Sequence, residues 1–205
     1  MRIGIDFDNT VASYDDVFLE LAKRRGLVEH AFQGGKQALR DAIRLMPDGE
    51  MSWQHLQGSV YGKCMPRASL FEGVDKFLRR CRGMGGNIFI VSHKTEFGHF
   101  DPEQFNLRKT ALDWMSARGF FSASGYGIPI ENVYFEASRN EKLARIAALA
   151  CTHFIDDLEE VLSDPHFPAG VTRILFAQTR LGIAADTIHC KSWREIAEVV
   201  FGERD

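Results

Sequence analysis

Apolar residues along this chain fall into two patterns. Five short runs are continuously apolar: "RIGID" at 2–6, "NIFIVS" at 87–92, "NVYFEA" at 132–137, "THFIDD" at 152–157 and "TRILFA" at 172–177. A strand covered on both faces shows no polar alternation, so these runs predict the strands of a buried sheet. Between them the spacing changes to three and four residues. Val74, Phe77, Leu78 and Cys81 make one apolar stripe. Leu143, Ile146, Ala147 and Ala150 make a second, and Trp193, Ile196 and Val200 a third. Each stripe predicts an amphipathic helix. Gly83, Gly85 and Gly86 close the first of these helices before the next strand. Strand and helix in alternation predict the α/β class, a parallel sheet wrapped by helices.

Residues 15–68 break this alternation. They hold helical periodicity and no convincing strand. Val17, Phe18, Leu21 and Ala22 form one stripe, and Leu39, Ala42, Ile43 and Met46 another. A third helix is expected from Met51 to Lys63, after the turn "MPDG". The expected organisation is a core of residues 1–14 and 69–205 with a small helical cap, 15–68, inserted after the first strand.

Composition narrows the classes of partner. At 205 residues the chain suffices for one sizeable domain with an insertion. Hydrophobic residues at 45% and charged residues at 26% are ordinary for a globular protein, which argues against disorder. A net charge of −3, with Lys and Arg scattered, gives no footprint for a nucleic acid polymer and no basic patch for a membrane. No apolar run approaches the ~18 residues of a membrane span. The first strand begins at residue 2 and carries acids, so no signal peptide is expected. Cys64, Cys81, Cys151 and Cys190 are widely spaced, which suits reduced, mostly buried thiols in a cytoplasmic protein better than a zinc site.

The acids at the ends of the apolar runs carry the chemistry. In open parallel sheets ligands bind beyond the carboxyl ends of the strands. Asp6 and Asp8 follow the first run, and Asp156 and Asp157 end the fourth. If these strands are neighbours, four carboxylates converge. Two carboxylates ~4 Å apart repel by about 4 kcal/mol at an effective dielectric of ~20. Such a cluster needs a cation or shared protons, and oxygen-only ligands suit a hard ion such as Mg2+. Ser92, His93 and Lys94 end the second run, where a hydroxyl and a backbone N–H suit phosphate oxygens. Lys142 lies fourteen residues before Asp156, placed to neutralise both a phosphate and a carboxylate.

Taken in order, these motifs resemble those of the haloacid dehalogenase superfamily of phosphohydrolases. "IGIDFDNTV" resembles its first motif, D-x-D-x-[T/V], and "NIFIVSHKT" its second, a strand ending in Ser or Thr. Lys142 in "SRNEKLARI" matches its third and "HFIDDLEEVL" its fourth. Lys94 is the other lysine placed to share the third motif's role. The resemblance implies a Rossmann-like core and hydrolysis of the phosphate monoester of a small metabolite. It assigns Asp6 as nucleophile, forming an aspartyl-phosphate, and Asp8 as general acid and base. It places Mg2+ on Asp6, the Asp8 carbonyl and Asp156, with Asp157 supporting. Ser92 and Lys142, with His93, would hold the phosphoryl group, and Thr10 would orient the nucleophile loop. Asp8 argues against dehalogenation, because a halide leaves without a proton.

Other readings share these motifs. A phosphotransferase or phosphomutase would use the same nucleophile, and a non-catalytic metal-binding regulatory protein would keep the same fold. Either a nucleotide or a sugar phosphate suits the cap as substrate. The segment "HKTEFGHFDPEQF", with His93, His99 and Asp101, is long enough to reach over a site or to be a plain surface loop. Lys36, Arg40 and Arg44 share one helical face, where a solvated surface is the simpler reading. Phe32, Trp53 and Tyr61 are expected to form the cap's own core.

Overall fold

The computed structural model describes residues 1–98, 104–179 and 186–202. All five apolar runs form strands. In chain order the elements are β1 (Arg2–Ile5), β2 (Ala12–Ser13), α1 (Asp15–Arg24), α2 (Lys36–Arg44), α3 (Gly49–Tyr61), β3 (Ser69–Leu70), α4 (Val74–Gly83), β4 (Asn87–His93) and α5 (Leu107–Ala117). They continue with β5 (Val133–Glu136), α6 (Arg139–Ala148), β6 (His153–Asp156), α7 (Glu159–Leu162), β7 (Thr172–Phe176), β8 (Thr187–Cys190) and α8 (Trp193–Phe201). Six strands form one sheet in the order β5-β4-β1-β6-β7-β8, and every pairing is parallel. This is a Rossmann-like α/β fold. β1 lies at its centre, beside β6, so the two acidic strand ends are neighbours.

β8 was not among the expected strands. Its sequence, Thr-Ile-His-Cys, alternates polar and apolar, and it lies at the edge of the sheet with Ile188 exposed. An edge strand needs no continuous apolar run.

Helices cover both faces. On one face Phe89, Val91, Phe154 and Leu175 from the strands pack with Leu143, Ile146 and Leu149 from α6 and its end. The α6 stripe differs from expectation: Ala147 and Ala150 are exposed, and Lys142 and Leu149 take the buried positions beside Leu143 and Ile146. Ala150 lies beyond the helix with φ 47°. On the other face the rings of Phe77 from α4 and Trp193 from α8 meet edge to face at 4.9 Å. Gly4 allows one close approach. A Cβ there would stand 2.5 Å from the ring of Phe154, its register partner on β6. Cys81, Cys151 and Cys190 are buried, all four cysteines are free, and burial pushes the three buried thiols up to about 11.

The chain divides into two compact units. The first holds Met1–Ala12, Leu70–Lys94 and Met115–Asp205, and includes the six-stranded sheet. The second holds Ser13–Ser69 and Thr95–Trp114, wider than the 15–68 insertion read from the sequence. Within that unit the Trp114 indole N–H donates to the Ala68 carbonyl at 3.0 Å. In the second unit Val17, Phe18, Leu21 and Ala22 are buried as expected, whereas Met46 is exposed in the turn after α2. Phe18 stacks on Trp53 at 5.1 Å, and Tyr61 meets both Phe18 and Tyr14 edge on, so these aromatics form a core. Among the described residues no helix is long and apolar enough to cross a membrane.

Candidate active site

Register places the first two acids. Gly4 pairs with Phe154 and Ile5 with Ile155. The Asp6 N–H donates to the Ile155 carbonyl at 2.9 Å, which carries the ladder one step further. Side chains alternate along strands, so Asp6 and Asp156 emerge side by side on the face that holds Phe154. That face is covered by α6, whose N-cap Ser138 accepts from the Glu141 N–H. One turn in, Lys142 lies over the Phe154 ring and points between the acids. Its ammonium donates to Asp6 Oδ1 at 2.6 Å and to Asp156 Oδ2 at 2.7 Å.

All three groups are shut away from water: Lys142 is 1% exposed, Asp156 0% and Asp6 5%. Burial costs an ionic cluster several kcal/mol per charge, so close pairing is required. Burial pushes the Asp6 carboxyl up to about 7; Lys142 pulls it down, and Asp156 and Asp8 add to the rise. Burial alone would lower Lys142, but Asp156 and Asp6 overcome this and hold it above the usual lysine value. Lys142 is therefore a fixed cation.

Asp156 also shapes its own turn. Its Oδ1 accepts from the Leu158 N–H at 2.9 Å, at the start of α7, so it joins a helix start and the ion cluster at once. Asp157 is half-buried, and its Oδ1 accepts from the Thr10 hydroxyl at 3.4 Å. Thr10 is fully buried, and its carbonyl accepts from the Trp193 indole N–H at 3.1 Å. The loop after β1 is thereby tied to both β6 and α8.

One carboxylate oxygen from each of Asp6, Asp156 and Asp157 lies within 4.8 Å of the other two. Three hard oxygen donors this close fit one small divalent cation. Among the described residues these three form the acidic cluster, and Asp8 stands apart from it.

After β1 the chain turns sharply. The Val11 and Ala12 N–H groups both donate to the Phe7 carbonyl at 3.0 Å, and Asn9 takes the left-handed conformation at φ 59°, which asparagine tolerates. This turn carries Asp8 to a different cation. The Lys94 ammonium donates to Asp8 Oδ1 at 2.9 Å and to Oδ2 at 2.7 Å. The Lys94 backbone N–H donates to the Glu136 carbonyl at 3.1 Å, extending the β4–β5 ladder.

The three residues that end β4 part company. Ser92 and Lys94 are buried and His93 between them is exposed. The His93 Nε2 bonds the Ala137 carbonyl at 3.0 Å. Of the residues read from sequence, the structure thus gathers Asp6, Asp156, Asp157, Thr10 and Lys142, and seats Ser92 at the end of β4. It pairs Asp8 with Lys94, a contact the sequence reading did not foresee. Strand alternation held the signal, since residues 92 and 94 share a face and 93 does not. His99 and Asp101 lie outside the described residues.

In the second unit Lys36 donates to the Tyr61 hydroxyl at 2.7 Å, while Arg40 pairs with Asp41 at 3.1 Å and Arg44 with Glu50 at 2.6 Å. The two arginines serve the surface.

No family model matches the sequence, and no curated protein matches it. Solved structures do match its fold. A HAD-superfamily hydrolase of subfamily IA from Geobacter sulfurreducens is 14% identical, with 97% of this chain and 95% of that chain covered and a TM-score of 0.58. A predicted phosphoglycolate phosphatase from Haemophilus somnus is 14% identical, with 96% of each chain covered and a TM-score of 0.54. An L-2-haloacid dehalogenase is 13% identical, with 97% of each chain covered and a TM-score of 0.52. With matches along nearly its whole length, this chain has the haloacid dehalogenase-like fold.

Proposed function

We propose that the protein hydrolyses a phosphate monoester of a small metabolite, with Asp6 as the nucleophile. One observation carries the reading. Asp6 sits in a buried cluster with two further carboxylates and one fixed ammonium, while a second acid two residues on is held outside that cluster. The first arrangement suits attack on an anionic phosphoryl group, and the second supplies a proton donor.

The Asp6 carboxylate attacks phosphorus and the bond to the ester oxygen breaks. That oxygen takes a proton from Asp8 and leaves as the alcohol. Water then attacks the aspartyl-phosphate and gives its proton to Asp8, which releases inorganic phosphate and restores Asp6. Splitting the displacement in two lets a weak nucleophile suffice. Lys142 balances charge beside Asp6, and Ser92, at the end of β4, would hold phosphoryl oxygens. Mg2+ would be held by Asp6, Asp156, Asp157 and the Asp8 carbonyl, and when bound it supplies the positive charge that lets an anion approach an anion.

Asp8 favours phosphate ester hydrolysis over dehalogenation, because a halide needs no proton to leave. A structural neighbour described as a predicted phosphoglycolate phosphatase is in keeping with this class. The test is phosphate release from a panel of nucleotides, sugar phosphates and an aryl phosphate, with Mg2+ and with EDTA. Release that needs the metal supports the reading, and the preferred ester names the substrate class. A folded protein that binds Mg2+ and releases phosphate from none of them overturns it.

A further inference from the structure

We propose that Lys94 is a positioning residue for Asp8, fixing the acid that protonates the leaving group; this rests on the phosphatase reading above. Its side chain is 3% exposed, against 19% for Asp8. A lysine buried to that degree needs a counter-charge, and Asp8 meets it with both carboxylate oxygens. Each end of the contact is anchored. The Lys94 backbone belongs to the extended β4–β5 ladder, and its ammonium lies 5.6 Å from the centre of the fully buried Phe7 ring. Asp8 forms a bridge with Ala12 across its own tight turn.

The arrangement solves a problem posed by the sequence. Asp6 and Asp8 are two residues apart, and a cation drawing in Asp6, Asp156 and Asp157 would draw in any fourth carboxylate within reach. A carboxylate bound to that cation would be lost as a proton donor. Lys94 reaches Asp8 from the sheet face opposite to Lys142, since Ser92 and Lys94 alternate with Val91, which packs on the α6 side. One lysine therefore serves the nucleophile and the other serves the acid. Once Asp8 has given its proton to the ester oxygen, both carboxylate oxygens accept from the Lys94 ammonium already in place.

A residue that acts through the general acid matters in proportion to the leaving group's need for a proton. The test compares p-nitrophenyl phosphate, whose phenolate leaves readily, with phenyl phosphate, whose phenolate does not, both with Mg2+. Lys94→Met is expected to lose ~10²-fold in kcat/KM on phenyl phosphate but under ~5-fold on p-nitrophenyl phosphate, the first being at the low end of what a general acid contributes. Lys94→Arg is expected to regain part of the loss on phenyl phosphate. The ratio of the two esters is read in one sample, so an incompletely folded preparation leaves it unchanged. Where Lys94→Met does not fold, Lys94→Gln is read in the same way. Equal loss on both esters, or no loss on either, overturns the proposal while an active parent protein keeps the phosphatase reading. A parent with no metal-dependent release from either ester or from any metabolite ester overturns both.

Discussion

The two sides of the loop after β1 handle buried charge differently. On the α6 side a single ammonium, Lys142, is shared by two carboxylates, and a third carboxylate stands close by. On the β4 side Lys94 meets one carboxylate with both of its oxygens. The first cluster is over-supplied with negative charge, and the second is balanced. Excess negative charge in a buried place is a stored demand for a cation, whereas a balanced pair is complete and fixes geometry. On the proposed reading, the first would bind a cation and the second would hold Asp8 in place.

The sharpest way to break the comparison is Asp6→Asn. The amide keeps the shape and removes the proposed nucleophile, so phosphate release should fall by ~10⁴-fold or more, as for loss of other enzymic nucleophiles. Retained turnover would place the chemistry elsewhere. Next is Lys142→Met, which leaves Asp6 and Asp156 unpaired in the core. Removing one partner of a buried ion pair costs about 3–5 kcal/mol, to be read from denaturant midpoints. Mg2+ should raise the melting temperature of this variant more than that of the parent, because the stored demand for a cation has grown.

The pH dependence of stability sharpens the same contrast. Asp6 is raised from 3.8 to about 7 in the folded protein, chiefly by burial. The folded chain then binds more protons than the unfolded chain between these values. Stability in EDTA should therefore fall as pH rises from about 4 to about 7, and level off above. Asp6→Asn should lack that slope; a parent and variant with parallel profiles would remove Asp6 as its source. Lys94→Met should cost less than Lys142→Met, about 1–3 kcal/mol, because Asp8 is partly reached by water. Equal costs would erase the distinction between the two lysines. Arg44→Ala is the control: its exposed pair with Glu50 should be worth under ~1 kcal/mol.

Much of this was legible in the sequence, for identifiable reasons. The five buried strands announce themselves because both faces are covered, and that removes polar alternation. The acids stand out because they interrupt apolar runs. β8 was missed because an edge strand alternates and carries no such run. α5 carries a helical stripe in Leu107, Ala111, Trp114 and Met115, all buried, but it follows a long polar segment that reads as loop. The end of β4 is the instructive case. His93 draws the eye as a chemical residue, yet it is exposed, while Ser92 and Lys94, which share the opposite face, are buried. The pairing of Lys94 with Asp8 needs two distant segments to meet, and one-dimensional spacing does not reveal that. Lys142 over Lys94 as partner of Asp6 likewise depends on α6 covering the face shared by Asp6 and Phe154.

The central claim is that Asp6 itself becomes phosphorylated. The measurement is acid quenching during turnover of the best ester with Mg2+, followed by peptide mapping by mass spectrometry. The account predicts a phosphoryl group on the peptide carrying Asp6, absent in EDTA and absent in Asp6→Asn. Turnover with no phosphorylated peptide, or with the group on another residue, would contradict it.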